Sequence, residues 1–232
     1  NAGDYGGDWA KGVEAAAEAN GVTVAWSYLP PATEFDVAQA VGLMVTQPVD
    51  AYFPALGPPA MAQVAGGAFQ QGITPIAMMA APSFNDSFVR EGFALAPLFT
   101  SGSMYVTAFT QPYEANTPGH AAMRATFDAV GQATGNLFVT AGWTSQYHLK
   151  DVLQAAIKGG DITRAGIRRA AANVNVSSDQ MMPTKNLGQE GGQTETYVGV
   201  PTADNLSGIN TLAWPYTGPT AAAKDWSAVP CS

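Results

Sequence analysis

Apolar and polar positions take turns along the first hundred residues between a helical and a strand-like period. Residues 9–19 carry apolar side chains at helical spacing behind Asp8, which is suited to cap a helix, and Asn20-Gly21 supplies a stop. The β-branched run Val22-Thr23-Val24 leads into Trp26 and predicts a strand. After a loop at Pro30-Pro31, Thr33 or Asp36 opens a second helix through Val37, Val41 and Met44. Pro48-Val49-Asp50 then precedes a short apolar strand, Ala51-Tyr52-Phe53. Further along, the pattern predicts a helix over 59–71 stopped by Gly72 and an almost wholly apolar strand over 73–79, buried on both faces. A helix over 84–91, stopped by Gly92, and a strand over 93–99 follow. Strands and helices in alternation, joined by short connections, define a parallel sheet flanked by helices. The predicted fold class is α/β, a doubly wound parallel sheet.

From Pro118 to Val174 the pattern changes. Helices are predicted over 119–133, 143–158 and 162–172, with Gly159-Gly160 ending the second and Asp161 capping the third. Met123, Phe127 and Val130, and Tyr147, Val152 and Ile157, form apolar faces for which this stretch offers no matching strands. The region from Ser177 on is rich in Gly, Pro, Thr and Asn, interrupted by candidate strands over 194–200 and 209–214 and ending in an irregular extension after Pro215.

Charge changes the picture by exclusion. Only 12% of the 232 residues are charged, and the balance is −8. A phosphate backbone is repelled by that field, and the basic group Arg164, Arg168 and Arg169 reads as the positive end of a helix, so nucleic acid is excluded as a partner. No apolar run approaches the roughly 20 residues that a helix needs to span a bilayer. A signal-peptide pattern is also missing, and a mature chain would have lost one.

Candidate chemistry is sparse. His120 and His148 lie on separate predicted helices without a second ligand at metal spacing, and read as surface or boundary residues. Ser101-Gly102-Ser103 is not a nucleophile elbow, and Gly188-Gln189-Glu190-Gly191-Gly192 lacks the spacing of a phosphate loop. No catalytic residue, metal site or cofactor is predicted, and the expected class is not an enzyme. The single cysteine, Cys231, reads either as an inert terminal thiol or as half of a disulfide to a cysteine outside this sequence.

Several local features, in order, carry a resemblance. They are Asp4-Tyr5-Gly6, a helix ending at Gly21, Phe35-Asp36, Pro48-Val49-Asp50, Gln71-Gly72, and the proline-led helix from Pro118 with Phe127-Asp128-Ala129. Together the chain resembles, from the second lobe onward, a type I solute-binding protein of the branched-chain amino acid ABC transporter family. The resemblance implies two α/β lobes joined by three crossovers, with a solute held in the cleft between them. Residues 1–112 would form the second lobe, 113–197 a mostly helical return to the first lobe, and 198–232 a crossover back and a tail. The sheet of the first lobe would lie outside this sequence, in a preceding segment or another chain that covers residues 118–174. Implied partners are a small-molecule solute and an ABC permease, in the periplasm or outside the cell, with a lipid anchor left open. A ligand-sensing domain on the same fold, or a structural subunit with a degenerate cleft, are the alternatives.

By the same resemblance, Tyr5 matches a tyrosine that contacts the ligand, and Leu56, Gly57 and Ala81 lie on the loops that would form the cleft wall. Amino acid receptors place an acidic residue in the loop after the strand over 73–79. Here that loop reads Ala80-Ala81-Pro82-Ser83. A buried ammonium without a counter-charge is costly, so the expected solute is less polar than an amino acid.

Overall fold

The computed structural model describes residues 5–131, 135–187 and 194–223. The first helix, α1, spans Tyr5–Ala19, one turn earlier than the pattern predicts. Asp8 is therefore not its cap but lies in the first turn, where a carboxylate favours the positive end of the helix dipole. Gly21, at φ +63°, ends the helix in the left-handed region that glycine adopts without strain. The next helix, α2 (Val37–Thr46), is capped by Asp36, whose carboxylate accepts from the backbone N–H of Ala38 and Gln39. A two-residue strand β1 (Ala51–Tyr52), helix α3 (Pro58–Gln70) and strand β2 (Ile76–Ala80) then complete a β-α-β unit.

Four expectations fail in this part of the chain. Residues 22–29 have strand composition and run without a turn or bend, yet they join no sheet among the described residues. Strand propensity is a local property, and a ladder also needs a neighbour. The helix expected over 84–91 is instead one 3-10 turn, Asp86–Val89, which follows a separate 3-10 turn at Ala81–Ser83 and is started afresh by the Asn85 side chain, an acceptor for the Ser87 N–H. The strand expected over 93–99 is a single turn of helix, α4 (Ala96–Phe99), with Pro97 at its start, where proline fits. Its apolar residues serve a ring cluster: Phe88 packs on Phe93 and Phe99 at centroid distances of 5.3 and 4.6 Å. The strand itself comes later, as β3 (Met104–Ala108), with burial alternating along it. Ile76 at the start of β2 is exposed, so that strand is not buried throughout.

β1 pairs with β2 in parallel (Ala51 with Ile76, Tyr52 with Ala77), and β2 pairs with β3 in parallel (Ala77 with Met104). The remaining long strands are β6 (Thr196–Pro201) and β7 (Ile209–Tyr216), and the sheet runs in the order β1-β2-β3-β6-β7. Two compact units result. Unit 1 comprises residues 1–107 and 198–212; unit 2 comprises residues 108–197 and those from 213 on. The core of unit 1 is built from Met44, Met61, Val64, Met79, Phe84, Phe99 and Val106.

Unit 2 contains α5 (Pro118–Ala129), α6 (Leu137–Lys158) and α7 (Arg164–Ala171), capped by Thr117, Asn136 and Thr163 respectively. Thr163, not Asp161, caps α7, since its hydroxyl accepts from the Gly166 N–H. Asp161 instead takes the N–H and hydroxyl of Thr163 and the Arg169 guanidinium. Those bonds to Thr163, chiefly, hold its carboxyl below the usual range. A small antiparallel pair, β4 (Asn175–Val176) with β5 (Lys185–Asn186), closes one side.

The apolar faces of these helices are partly satisfied without a large sheet. Met123, Tyr147, Tyr113, Val176 and Met181 form a buried cluster, with Phe127 and Trp143 packed against it, whereas Val130 and Ile157 remain exposed. His120 is fully buried rather than at the surface, its Nδ1 2.7 Å from the Thr117 hydroxyl. A short helix α8 (Pro219–Ala223) follows β7. Cys231, Asp4 and the Gly188–Gly192 stretch lie outside the described residues.

Candidate functional site

Parallel strands end on one edge, and in open α/β sheets the loops beyond the carboxyl ends of strands carry ligand sites. Here two such loops stand side by side. The first follows β1 and runs Phe53-Pro54-Ala55-Leu56-Gly57 into α3, with Gly57 as the helix's N-cap and Pro58 at its first position. The second follows β2 as the 3-10 turn Ala81–Ser83. Both carry apolar or small side chains, and neither has a carboxylate.

Ser83 joins them. Its side chain is fully buried, and its Oγ accepts from the Leu56 N–H at 2.9 Å and donates to the Pro54 carbonyl at 3.2 Å. The Ala80 N–H also donates to that carbonyl at 3.2 Å. One hydroxyl thus satisfies a donor and an acceptor of the neighbouring loop, which fixes the two backbones against each other. Leu56 and Ala81 are half-buried beside this link and Gly57 is exposed.

Tyr5 opens α1 and is 49% exposed. Desolvation raises its phenol to about 12, so it stays a neutral hydroxyl at physiological pH. One turn further on the same helical face, Trp9 donates its Nε1–H to the Phe53 carbonyl at 3.0 Å. That bond ties α1 to the first loop. Leu56, Gly57 and Ala81 are therefore brought together by Ser83, while among the described residues no hydrogen bond joins Tyr5 to them. Sequence reasoning missed Ser83 and Trp9. A serine directly after a strand and a proline is the only local sign of the first, and its function depends on a partner 27 residues away.

Arg90 adds rigidity on the same unit. Its guanidinium donates to the carbonyls of Ala203, Asn205 and Leu206 and lies 3.8 Å from Asp86, pinning the loop between β6 and β7 to the turn at Asp86–Val89. Beside β1 there is also a cavity of about 460 Å³, lined by α1, residues 22–29 and residues 48–56; of the four predicted contacts only Leu56 reaches it. Among the described residues no group of three potential metal ligands occurs, and no helix is long and apolar enough to cross a membrane.

The sequence profile of the periplasmic binding protein family matches residues 1–205, and the chain belongs to that family. Its fold is that of the type I members associated with branched-chain amino acid ABC transporters. Among solved structures, the chain is similar to a fatty acid ABC transporter substrate-binding protein from Thermomonospora curvata, at 20% identity and a TM-score of 0.84, over 97% of this chain and 57% of that one. It is also similar to a branched-chain amino acid ABC transporter protein from Thermus thermophilus with bound valine (11% identity, TM-score 0.68, 90% and 56% covered). A third is a solute-binding protein from Rhodopseudomonas palustris HaA2 in complex with p-hydroxybenzoic acid (13% identity, TM-score 0.66, 93% and 58% covered). At these identities the likeness establishes the fold. The chain spans a little over half the length of each. No curated protein sequence matches it.

Proposed function

We propose that this chain is the larger part of an extracytoplasmic, non-enzymatic solute-binding protein that captures a small solute between two lobes and presents it to an ABC permease. On this reading unit 1 is one lobe, the return through residues 113–197 belongs to the other, and Tyr5, Leu56, Gly57 and Ala81 contribute to the solute contact. Hinged closure of such receptors is driven by ligand contacts that favour the closed state.

The observation that carries the proposal is the pair of strand-end loops clasped by Ser83, a rigid wall with backbone groups and apolar side chains but no carboxylate. A wall of this kind suits an aliphatic or aromatic solute. It gives an α-ammonium nothing to pair with, and burying that charge unpaired would cost several kcal/mol, of order the penalty for any isolated ion.

Calorimetric titration of the natural full-length protein with octanoate, 4-hydroxybenzoate and valine tests this. Binding of octanoate or 4-hydroxybenzoate with valine silent is expected. Tight binding of valine with the other two silent would overturn the solute class. Silence from all three would favour a structural subunit, a reading that the exposed Val130, Ile157 and Ile162 of unit 2 also support.

A further inference from the structure

Surface helices of globular proteins carry charged side chains on the face turned to water. Two helices of unit 1 do not. From Val37 to Asn85 the one charged side chain is Asp50, in a chain where 12% of residues are charged and the net charge is −8. That stretch contains the whole of α2 and α3, and their exposed positions include Val45, Thr46, Gln63, Phe69 and Gln70. Val45 is 46% exposed and Phe69 52%. The neutral run resumes at Gly92 and takes in α4, the turn at 100–103 and β3.

Small residues join these elements closely. A Cβ on Gly67 would come within 2.9 Å of Val41 Cγ2, and one on Gly66 within 2.9 Å of Leu95 Cδ1, so α3 lies tight against α2 and against the lead-in to α4. Around the last turn of α3 is a cavity of about 370 Å³, lined by Phe69, Thr74, Pro97, Leu98, Ser101 and Ser103. Hydroxyls of the same elements are satisfied from within. Ser101 Oγ and Ser103 Oγ lie 2.7 Å apart, Thr100 donates to the Ala96 carbonyl at 2.9 Å, and Thr46 donates to the Gly42 carbonyl at 2.8 Å. A partner can cover these hydroxyls without leaving a donor stranded.

Depletion of charge around an exposed aromatic ring is the composition of an interface core. Charge also selects the occupant. A basic partner finds no carboxylate in this stretch beyond Asp50. Two copies of a chain at −8 repel each other in most orientations, and a face without carboxylates is where they can meet with least repulsion. We infer that the neutral face formed by α2, α3 and the turn at 97–103 is the contact between two copies of this protein, related by a two-fold axis. Such a contact uses the same patch on both partners. This patch holds both halves of a fit, the projecting Phe69 ring and the cavity beside it. Phe69 lies in the last turn of α3, whereas Leu56 and Gly57 precede its first, about 20 Å away along the helix. Pairing here therefore leaves the loops clasped by Ser83 open.

Analytical sedimentation of the natural full-length protein tests the inference, and a dimer is expected at micromolar concentrations. Phe69→Glu is expected to weaken the pair by about 30-fold or more, as for a residue at the centre of an interface. Gln70→Lys lowers the net negative charge and is still expected to weaken it, because it buries an unpaired ion. Ala15→Glu, at an exposed position on α1, adds the same charge outside the face and is expected to leave the pair intact. A full-length protein that stays monomeric, with the face bare or covered by the rest of its own polypeptide, would overturn the inference. So would a dimer indifferent to both substitutions on α3.

Salt gives a second reading. With no ion pair in the contact, raising ionic strength from about 0.05 M to about 0.5 M screens only the repulsion between the copies and is expected to tighten the pair. Weakening over that range would mean that charged groups on another face hold the copies together, and would overturn it. Solute binding at the Ser83-clasped loops is read separately by calorimetry. Phe69→Glu is expected to dissociate the pair and leave octanoate binding unchanged, so either proposal can fail alone.

Discussion

Ser83 shows how much one buried hydroxyl can organise. Replacing it with alanine leaves the Leu56 N–H without its acceptor and removes a donor from the Pro54 carbonyl, both in a largely dry setting. Ser83→Ala is expected to cost about 1–3 kcal/mol, the usual penalty for one orphaned polar group, since the Pro54 carbonyl keeps the Ala80 N–H; it is measured as a lower denaturant midpoint with an unchanged slope. On the proposed function it also weakens solute binding, because the two loops lose their fixed spacing. A variant as stable and as competent as the parent would show that the clasp is dispensable. This residue is also where legibility ended. The loops after β1 and β2 could be placed from hydrophobic runs and prolines, since those signals are local. The link between them could not, because nothing near Ser83 in sequence announces Leu56 as its partner.

Elements were readable where capping chemistry and punctuation agreed. Asp36 before α2, Pro58 at the start of α3 and Gly21 after α1 each act within a few residues, and these three helices fall within about a turn of their predicted bounds, whereas α6 begins at Leu137, six residues before its predicted start. Phe93 to Phe99 misled because an apolar run fits a strand and a ring cluster equally, and the packing of Phe88 decided for the cluster. Met104 to Ala108 carried the alternating pattern of a strand and was passed over behind it. The contact of α5 with the turn at Ser178–Gln180 gives a prediction at this scale. A Cβ on Gly119 would come within 2.5 Å of Met181 Cγ and 3.0 Å of the Ser178 carbonyl oxygen, a main-chain atom that cannot swing away. Gly119→Ala is expected to destabilise unit 2 by about 1–3 kcal/mol, through overpacking. Chemical denaturation followed through the hydrogen-exchange protection of α5 and α6 reads this, and an unshifted midpoint would mean that α5 can slide.

At the scale of the whole molecule, acid should separate the two units. Both histidines lie in unit 2. Burial lowers His120 to about 4; the Gln111 backbone and Glu114 oppose that shift, and Arg124 adds to it. His148 is lowered as well, by burial first and then by Lys185, against Asp151. A folded-state value below the ordinary 6.5 means that the unfolded chain binds more protons between the two values. The histidine contribution is therefore complete above pH 6.5 and is lost as pH falls toward 4, by roughly 2 kcal/mol for His120 at pH 5 and roughly 3 kcal/mol at pH 4. Exchange protection at pH 7 and pH 5, corrected for intrinsic rates, should fall in α5 and α6 more than in α2 and α3. His120→Gln should flatten that difference, and equal losses in both units would argue against it. The α/β class and the change of character near Pro118 were visible in the sequence; the closure of Met123, Tyr147 and Met181 on one another was not, because it joins residues from three separate segments.

The division of the chain has a consequence for how it is made. Unit 1 draws its last piece from residues 198–212, which leave the ribosome only after all of residues 108–197. Its final strands cannot be laid down during early synthesis, and a truncation placed anywhere in residues 108–197 deprives unit 1 as well. The nascent chain must hold an unfinished sheet open while the rest is translated, and an export route that keeps it unfolded until release would spare it that exposure.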